Sequence, residues 1–310
     1  MPSDSAWAAG TAGGGSPDEG GVVSHPVLGQ RMLSAAPLRS PPHGLASLRA
    51  FVTLVEKTLR ARMVYGIATL LSVLASAAGY CIFLLVWSEV YRQRSGAPAL
   101  PSAQIFPYLV TAFVLNFTLA SSLESRAGLR IMRGFVSVDL SKPMGFMPWH
   151  LAQALGDLVG NALLALPLAA VGSAALGHGL APPSASAGLL GLGSLLLGFL
   201  VNFSMGFLII QAFFVTDSYY GVAFTRTALH GAFSGLSAPL ALFPEPLRSI
   251  AAYLPFRHVI ETPARVWLGQ IQGLEALRFM SLQALWIAVL LPLACGVFRV
   301  ALRRVQIQGG

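Results

Sequence analysis

The sequence predicts an all-α integral membrane protein with six transmembrane helices. Of the 310 residues, 55% are hydrophobic and 10% are charged, and the mean hydropathy is +0.68. Between Asp157 and Asp217, 59 consecutive residues include no Lys, Arg, Asp or Glu. A water-soluble domain of that size needs charged surface residues, whereas about 20 apolar residues in a helix cross the roughly 30 Å hydrocarbon core of a bilayer. This composition belongs to the multi-span membrane class.

Residues 1–44 are predicted to be a disordered N-terminal extension that precedes a transmembrane domain at 45–310. The extension holds eight Gly and six Pro and shows no hydrophobic periodicity. Such a segment cannot bury enough apolar surface to offset the entropy lost on ordering. It also lacks the charged start and the apolar core of about 7–15 residues that a signal peptide has.

Residues 45–62 are predicted to form a basic amphipathic helix. Because the helix comes directly before a span, we expect it to lie in the membrane interface, where it would contact lipid. The alternative is a soluble helix that packs against the rest of the protein. Apolar residues recur at spacings of three and four while basic residues face elsewhere; the apolar set is Leu45, Leu48, Val52, Val55 and Leu59, and the basic set is Arg49, Lys57 and Arg60.

Six apolar runs follow and are predicted to span the membrane, at residues 63–87, 105–123, 151–176, 187–215, 218–243 and 279–298. The fifth run is the weakest, because Arg226 and His230 interrupt it. A charge at mid-membrane costs about 2.5–3.5 kcal/mol on insertion scales, so Arg226 is expected to reach towards the interface. Residues 244–278 are too polar to span and too apolar for a free loop. They are predicted to form short broken helices that dip into the outer leaflet.

The distribution of basic residues predicts that both termini face the cytoplasm. With the N-terminus inside, six spans place twelve Lys and Arg residues of the flanking segments on the inner side and six on the outer side. An excess of basic residues marks the cytoplasmic side of a membrane protein. The net charge of +8 is explained in the same way, and with no basic domain the chain is not expected to bind nucleic acid.

Catalytic motifs are missing from the sequence. A phosphate-binding loop needs Lys after Gly, but Lys57 follows Glu56 and Lys142 follows Ser141. The histidines stand singly, the motif Gly-x-Ser-x-Gly does not occur, and the two cysteines lie apart inside apolar runs. We therefore expect no catalytic residue, no metal site and no cofactor on this chain.

The polar residues inside the predicted spans include Asp157, Asn161 and Asn202. Asp157 and Asn161 are one helical turn apart and share a face, so they are the best candidates for an ion-coupling site. The competing interpretation is that Asp157 lies near one end of its span and pairs locally with Arg126 or Arg130.

Residues 122–150 combine charged and apolar side chains in a segment between two spans. A short helix of this character on the cytoplasmic face suits docking onto a soluble partner, and the alternative is a solvated loop. The candidate residues are Arg130, Arg133, Phe135, Val138, Asp139, Lys142 and Pro143. Phe135 and Val138 are expected to be apolar anchors, surrounded by a rim of charged side chains.

Several of these segments together resemble the permease subunits of ABC-2 type exporters, with the nearest likeness to a bacterial branch of viologen or drug exporter-like proteins. The likeness covers roughly residues 45–310. It rests on the basic helix before the first span, a basic tail ending in Gly309-Gly310, and four stretches in order: Gly134 to Pro143, Phe243 to Arg248, Leu254-Pro255-Phe256, and Pro263 to Gly269.

The resemblance implies an integral subunit of an ATP-driven exporter in the bacterial cytoplasmic (inner) membrane. ATP and Mg would then be bound by a separate ATPase subunit, and a second related permease would complete the complex as a heterodimer or a homodimer. Residues 124–143 would be the coupling helix that docks on the ATPase. Residues 244–269 would form the outer gate, with Pro255, Phe256, Arg257, Glu261, Pro263 and Arg265 as the candidate residues.

Two other classes compete with this interpretation. A self-contained carrier or channel would need its own ion-coupling residues, and Asp157 is the one available. A membrane-embedded enzyme is disfavoured because the sequence has no catalytic constellation.

Overall fold

The structure is a computed structural model that describes residues 45–64, 66–93, 100–142, 144–176, 180–216 and 218–308. The predicted N-terminal extension and Pro143 lie outside these ranges. The α-helices in chain order are α1 (Leu45–Val64), α2 (Gly66–Gln93), α3 (Ser102–Leu119), α4 (Leu129–Met132), α5 (Val136–Leu140), α6 (Phe146–Leu176), α7 (Ala185–Ile209), α8 (Tyr219–Phe233), α9 (Glu245–Ala252), α10 (Glu261–Trp267) and α11 (Gly273–Gln308). The predicted all-α class is confirmed.

Five helical stretches of the described chain are long and apolar enough to cross a membrane. They cover Leu71–Gln93, Ser102–Met132, Phe146–Ala174, Ala185–Phe214 and Gly273–Leu302. Each overlaps one of the predicted spans. Most extend beyond the predicted limits, because the helix continues past the apolar run into polar residues. The chain is therefore an integral membrane protein.

The fifth predicted span, 218–243, is not one continuous helix. α8 has 15 residues, which gives a length of about 22 Å and falls short of the roughly 30 Å hydrocarbon core. Beyond it the chain continues through bends and a 3₁₀ turn at Leu240–Leu242. The non-helical backbone is satisfied from elsewhere, since the Glu261 amide donates to the Ser234 carbonyl at 3.0 Å and the Tyr108 hydroxyl donates to the Gly235 carbonyl at 2.7 Å. A hydrophobicity pattern cannot show such partners.

The core lies between α3, α6, α7 and α11. Of the five spanning stretches, the one that contains α7 is the most buried, since 61% of an 18-residue apolar segment in it is buried. α7 packs against α11 and α10. Near one end of the bundle the rings of Phe146, Phe207 and Phe298 cluster, with centroids 4.6 to 6.1 Å apart. This end also carries α4 and α5, and we call it the α5 end. The opposite end, where α3 begins and α10 lies, is the α10 end.

α1 packs along α6 through a close contact at Gly156. A Cβ atom at this position would lie 2.7 Å from Cβ of Thr58 and 2.9 Å from the carbonyl oxygen of Val55. Opposite this contact, Glu56 and Arg60 form an exposed ion pair at 2.5 Å. A helix over the predicted residues is confirmed, but its predicted apolar face is not buried throughout: Leu48 and Val52 are exposed, whereas Thr58 is buried against α6. The position of the helix in the membrane interface stays a prediction.

Candidate functional site

The centre of the site is a break in the helix that α3 begins. α3 ends at Leu119, residues 120–122 are not helical, and the chain resumes in a π-helical turn at Glu124–Gly128 that continues into α4. Carbonyl groups at such a break lose their partners within the helix, which is costly at membrane depth. Asn161 Nδ2 donates to the Ala120 carbonyl at 2.8 Å, and Asn202 Nδ2 donates to the Leu119 carbonyl at 3.0 Å. Two of the predicted intramembrane polar residues therefore stabilise the break.

Asp157 pairs with Arg126 beside the same break. The carboxylate, 1% exposed, forms an ion pair with the guanidinium and accepts a hydrogen bond from Ser122 Oγ at 2.9 Å. Of the two interpretations of Asp157, local pairing with Arg126 is thus confirmed. Asp157 and Asn161 do share a face, and this face is turned to the break.

A second ion pair joins the turn after the break to α8. Arg226 Nη1 lies 2.8 Å from Glu124 Oε1, and Arg226 Nη2 donates to Asn202 Oδ1 at 2.7 Å. Gly206 on α7 makes room for this pair, because a Cβ there would lie 3.0 Å from Glu124 Oε1. The prediction that Arg226 reaches out to the interface was wrong. The partner was not recognised because Glu124 is 102 residues away in sequence, although a Glu at the end of one span and an Arg within another is the signal that could have suggested it.

A glycine turn joins α4 to α5. Gly134 has a φ of +76°, its amide donates to the Ile131 carbonyl at 3.0 Å, and the Phe135 amide donates to the Arg130 carbonyl at 2.9 Å. These two bonds form a Schellman motif, in which glycine is favoured because other residues are strained at positive φ. The turn brings Phe135 next to Arg130, so that the guanidinium carbon of Arg130 lies over the Phe135 ring, 5.5 Å from the ring centroid.

Asp139 holds α5 onto α4. Its carboxylate is 2% exposed and accepts two hydrogen bonds from Arg130 at 2.8 Å and one from Lys142 Nζ at 2.6 Å. Burial alone would raise the pKa of Asp139, but the hydrogen bonds and charges of the two cations lower it below its usual value. The prediction that Asp139 belongs to a charged rim was wrong, because its charge is neutralised within the segment.

Three apolar side chains stand on the outside of this segment. Phe135, Val138 and Leu140 are 47%, 53% and 41% exposed, while Val136 faces inward and is buried. Phe135 and Val138 are the predicted anchors, and Leu140 was missed, although its place in a short apolar run was visible. Of the predicted rim, Arg133 is exposed and Lys142 lies against the ring of Trp149 at 4.1 Å. We call Phe135, Val138 and Leu140 the exposed triad.

Three of the predicted gate residues form an ion-pair cluster at the α10 end, with one carboxylate between two arginines. Glu261, 2% exposed, lies 3.3 Å from Arg257 and 3.8 Å from Arg265, one turn before and one turn after it. Pro263 is buried, whereas Pro255 and Phe256 are half-buried in a 3₁₀ turn at Pro255–His258.

A glutamine that sequence reasoning missed supports this turn. Gln283 Nε2 donates to the His258 carbonyl at 2.8 Å and to the Ser194 carbonyl at 3.0 Å, and its oxygen accepts from Ser194 Oγ at 3.0 Å. Its signal was a single amide in an otherwise apolar run. The short helices predicted for 244–278 are confirmed as α9, the turn and α10. The turn and α10 pack against α7 and α11, whereas α9 is exposed except at Ala251. Their position in the outer leaflet stays a prediction.

Over the described ranges, no group of three or more His, Cys, Asp or Glu residues is placed to hold a metal ion. The polar residues described above form ion pairs and hydrogen bonds, and Asn161, Asn202 and Gln283 bind backbone carbonyls. The arrangement is that of a polytopic helical membrane protein with a stabilised break in one span and a charged segment at each end.

Comparison with protein-family models identifies which family of helical membrane proteins the chain belongs to. The model described as ABC-2 family transporter protein matches residues 102–309, and the chain belongs to this family. It is thus a membrane transport protein of the ABC-2 permease type. The match extends over α3 to α11, which contain the break, the exposed triad and the residues predicted to form a gate. A search of the curated proteins gives no match, and the viologen or drug exporter-like branch stays a prediction.

Proposed function

We propose that this chain is the permease subunit of an ATP-driven exporter and that a separate ATPase subunit docks on the exposed triad. One observation carries the proposal: three apolar side chains are exposed on a short helix and on the turn just before it, and an internal ion-pair network fixes that helix. A solvated loop would gain nothing from presenting them, whereas apolar anchors within a polar surround are typical of binding hot spots.

The charge network supports the same proposal. Since Asp139 already neutralises Arg130 and Lys142, docking does not have to separate these charges. α4 and α5 therefore present a preorganised surface, which reduces the entropy cost of binding. The sequence has no Gly-Lys pair for a phosphate-binding loop, so ATP and Mg are assigned to the separate subunit.

A second related permease is the other proposed partner. In α2 and α11, only 6% and 11% of an 18-residue apolar segment are buried within the chain. Lipid covers such faces in part, and a second permease, in a heterodimer or a homodimer, would cover the rest.

The proposed location is the bacterial inner membrane, with both termini and the α5 end in the cytoplasm. The excess of basic residues supports this orientation. The α10 end, with Pro255, Phe256, Arg257, Glu261, Pro263 and Arg265, then faces outward as the gate.

The self-contained carrier is the weaker alternative. An ion-coupling carboxylate must exchange its ion during transport, whereas Asp157 is held by Arg126 and by Ser122. This pairing favours a structural role for Asp157, and the energy for transport is then supplied by the ATPase.

The docking proposal is tested by Phe135→Ala and Val138→Ala in the tagged permease, purified from its native host. We expect each variant to insert normally but to lose co-purifying ATPase activity and transport, because removal of a buried anchor typically costs about 2 kcal/mol or more. Leu274→Ala is the matched control, since Leu274 is 84% exposed at the opposite end of the bundle. Unchanged ATPase association and transport in the double variant would show that the triad does not dock a partner.

A further inference from the structure

A cavity of about 580 Å³ opens at the α10 end, next to the gate residues. It lies between the start of α3, residues 181–183 and α10. Its volume is within the range of about 300–1,000 Å³ that is typical of small-molecule sites. The polar side chains in its wall include Gln104, Tyr108, Glu261, Arg265 and Gln270, and alanine, proline and leucine side chains complete it.

The charged groups at this cavity are not equally accessible. The Glu261 side chain is 3% exposed, whereas the Arg265 side chain is 30% exposed. The 3.8 Å between Arg265 Nη1 and Glu261 Oε1 exceeds the roughly 2.7–2.9 Å of a charge-assisted hydrogen bond. Arg265 lines the cavity, and at this distance its guanidinium N–H groups are not hydrogen-bonded to Glu261.

The net charge of the cluster favours an anion. Glu261 is shared between Arg257 and Arg265, so one negative charge is set against two positive charges. A cationic ligand would have to reach Glu261 itself. Its Oε2 atom is buried and directed to Arg257, which is not part of the cavity wall. The Tyr108 hydroxyl is not free to donate to an anion, because it donates to the Gly235 carbonyl at 2.7 Å.

We propose that this cavity binds an amphiphile that carries a single carboxylate or phosphodiester group, with the anionic group on Arg265 and the apolar part against the alanine, proline and leucine wall. The inference deepens the proposed function and rests on it in one respect, namely that the bound molecule belongs to the exported class. A monoanion fits because it cancels the one excess positive charge of the cluster. Arg265 can hold such a group through two parallel hydrogen bonds.

The test uses the full-length permease in phosphatidylcholine nanodiscs and a fluorescent probe, 11-(dansylamino)undecanoic acid. Its methyl ester and the corresponding amine serve as neutral and cationic comparison probes. We expect the acid to bind at least about tenfold more tightly than the ester, as a hydrogen bond to a charged group implies. Arg265→Gln should remove this difference, and Arg265→Lys should retain part of it.

Two further variants keep the test decisive. Arg248→Gln is the matched control, because Arg248 is an arginine of α9 paired with Glu245 and is not part of the cavity wall. It should bind the acid as the unchanged protein does. Ala103→Trp fills the cavity from α3 and should weaken binding of the acid and the ester alike. If Arg265→Gln elutes as an aggregate, Ala103→Trp decides the outcome.

Equal affinity for the acid in the unchanged protein, Arg265→Gln and Ala103→Trp would overturn the proposal. Tighter binding of the amine that is lost in Glu261→Gln would also overturn it. Competition by phosphatidylglycerol added to the nanodiscs would support the anionic class and identify a lipid as its source, and its absence with retained acid binding would indicate a free amphiphile. Binding is measured without the ATPase, so failure of this site and failure of ATPase docking are distinguishable.

Discussion

Asn161 on α6 and Asn202 on α7 donate hydrogen bonds to the adjacent carbonyls of Ala120 and Leu119. Two carboxamides from different helices thus replace the helical partners that these carbonyls lose at the break after α3. An unsatisfied backbone carbonyl in hydrocarbon costs several kcal/mol, so the break depends on both side chains. The ion pairs of Arg126 and Arg226 then attach the next turn to α6 and α8.

Replacement of Asp157 by Asn should destabilise the protein without changing the pH dependence of transport. The change leaves Arg126 without its counter-ion, and loss of one partner of a buried pair costs about 3–5 kcal/mol. The effect should be smaller here because the Arg126 side chain is 34% exposed. Thermal unfolding in detergent measures the loss, and the double variant Asp157→Asn/Arg126→Gln should recover part of it. The carrier alternative would be favoured by a different result: transport by the unchanged protein depends on pH, and a stable Asp157→Asn variant loses that dependence.

Acidification should weaken ATPase association through Asp139. Because the pKa of Asp139 is lowered in the folded protein, its stabilising contribution is complete above the usual carboxyl value and is lost as the pH falls through the lowered value. Asp139→Asn should therefore associate weakly even at pH 7 and lose little more on acidification. Pull-down of the ATPase across the acid range measures this. Glu275→Gln, a change of an exposed carboxylate on α11, should follow the unchanged protein, and an acid-insensitive association in the unchanged protein would contradict the assignment.

The substitution Gly156→Leu should displace α1 from α6. The side chain would occupy space held by Thr58 and by the Val55 carbonyl, so overpacking should cost about 1–3 kcal/mol. Protease cleavage between α1 and α2 should become faster. Gly79→Leu is the matched control, because a Cβ at Gly79 meets no atom within 4 Å. Equal cleavage rates in both variants would show that α1 does not depend on this contact.

Single cysteines should report the orientation of the chain. Once Cys81 and Cys295 have been replaced by serine, cysteines at positions 7 and 308 should resist an impermeant thiol reagent in intact cells, whereas cysteines at Ser184 or Ser249 should react. The expectation follows from the excess of basic residues on the proposed inner side. Labelling at either terminal position would contradict the proposed orientation.

The apolar runs predicted the long helices well because lipid-facing segments depend chiefly on their own composition. What could not be predicted depends on partners that are distant in sequence. The break at residues 120–122 is encoded by Asn161 and Asn202, and the end of α8 by Glu261 and Tyr108. Asp139 was assigned to a rim because its spacing to Lys142 does not reveal that Arg130 folds back over it.

The break after α3 has a mechanical consequence. A continuous helix carries an axial thrust from one end to the other, but α3 has no helical ladder through residues 120–122. We therefore expect a displacement of α4 to act sideways, through Arg126 and Asp157 on α6 and through Glu124 and Arg226 on α8. α6 begins six residues after α5 and runs to the α10 end, so it would receive the same displacement at two points. The two ion pairs would thus be the points of transmission, and we expect a displacement of α4 to tilt α6 and α8 rather than to move α3 along its axis.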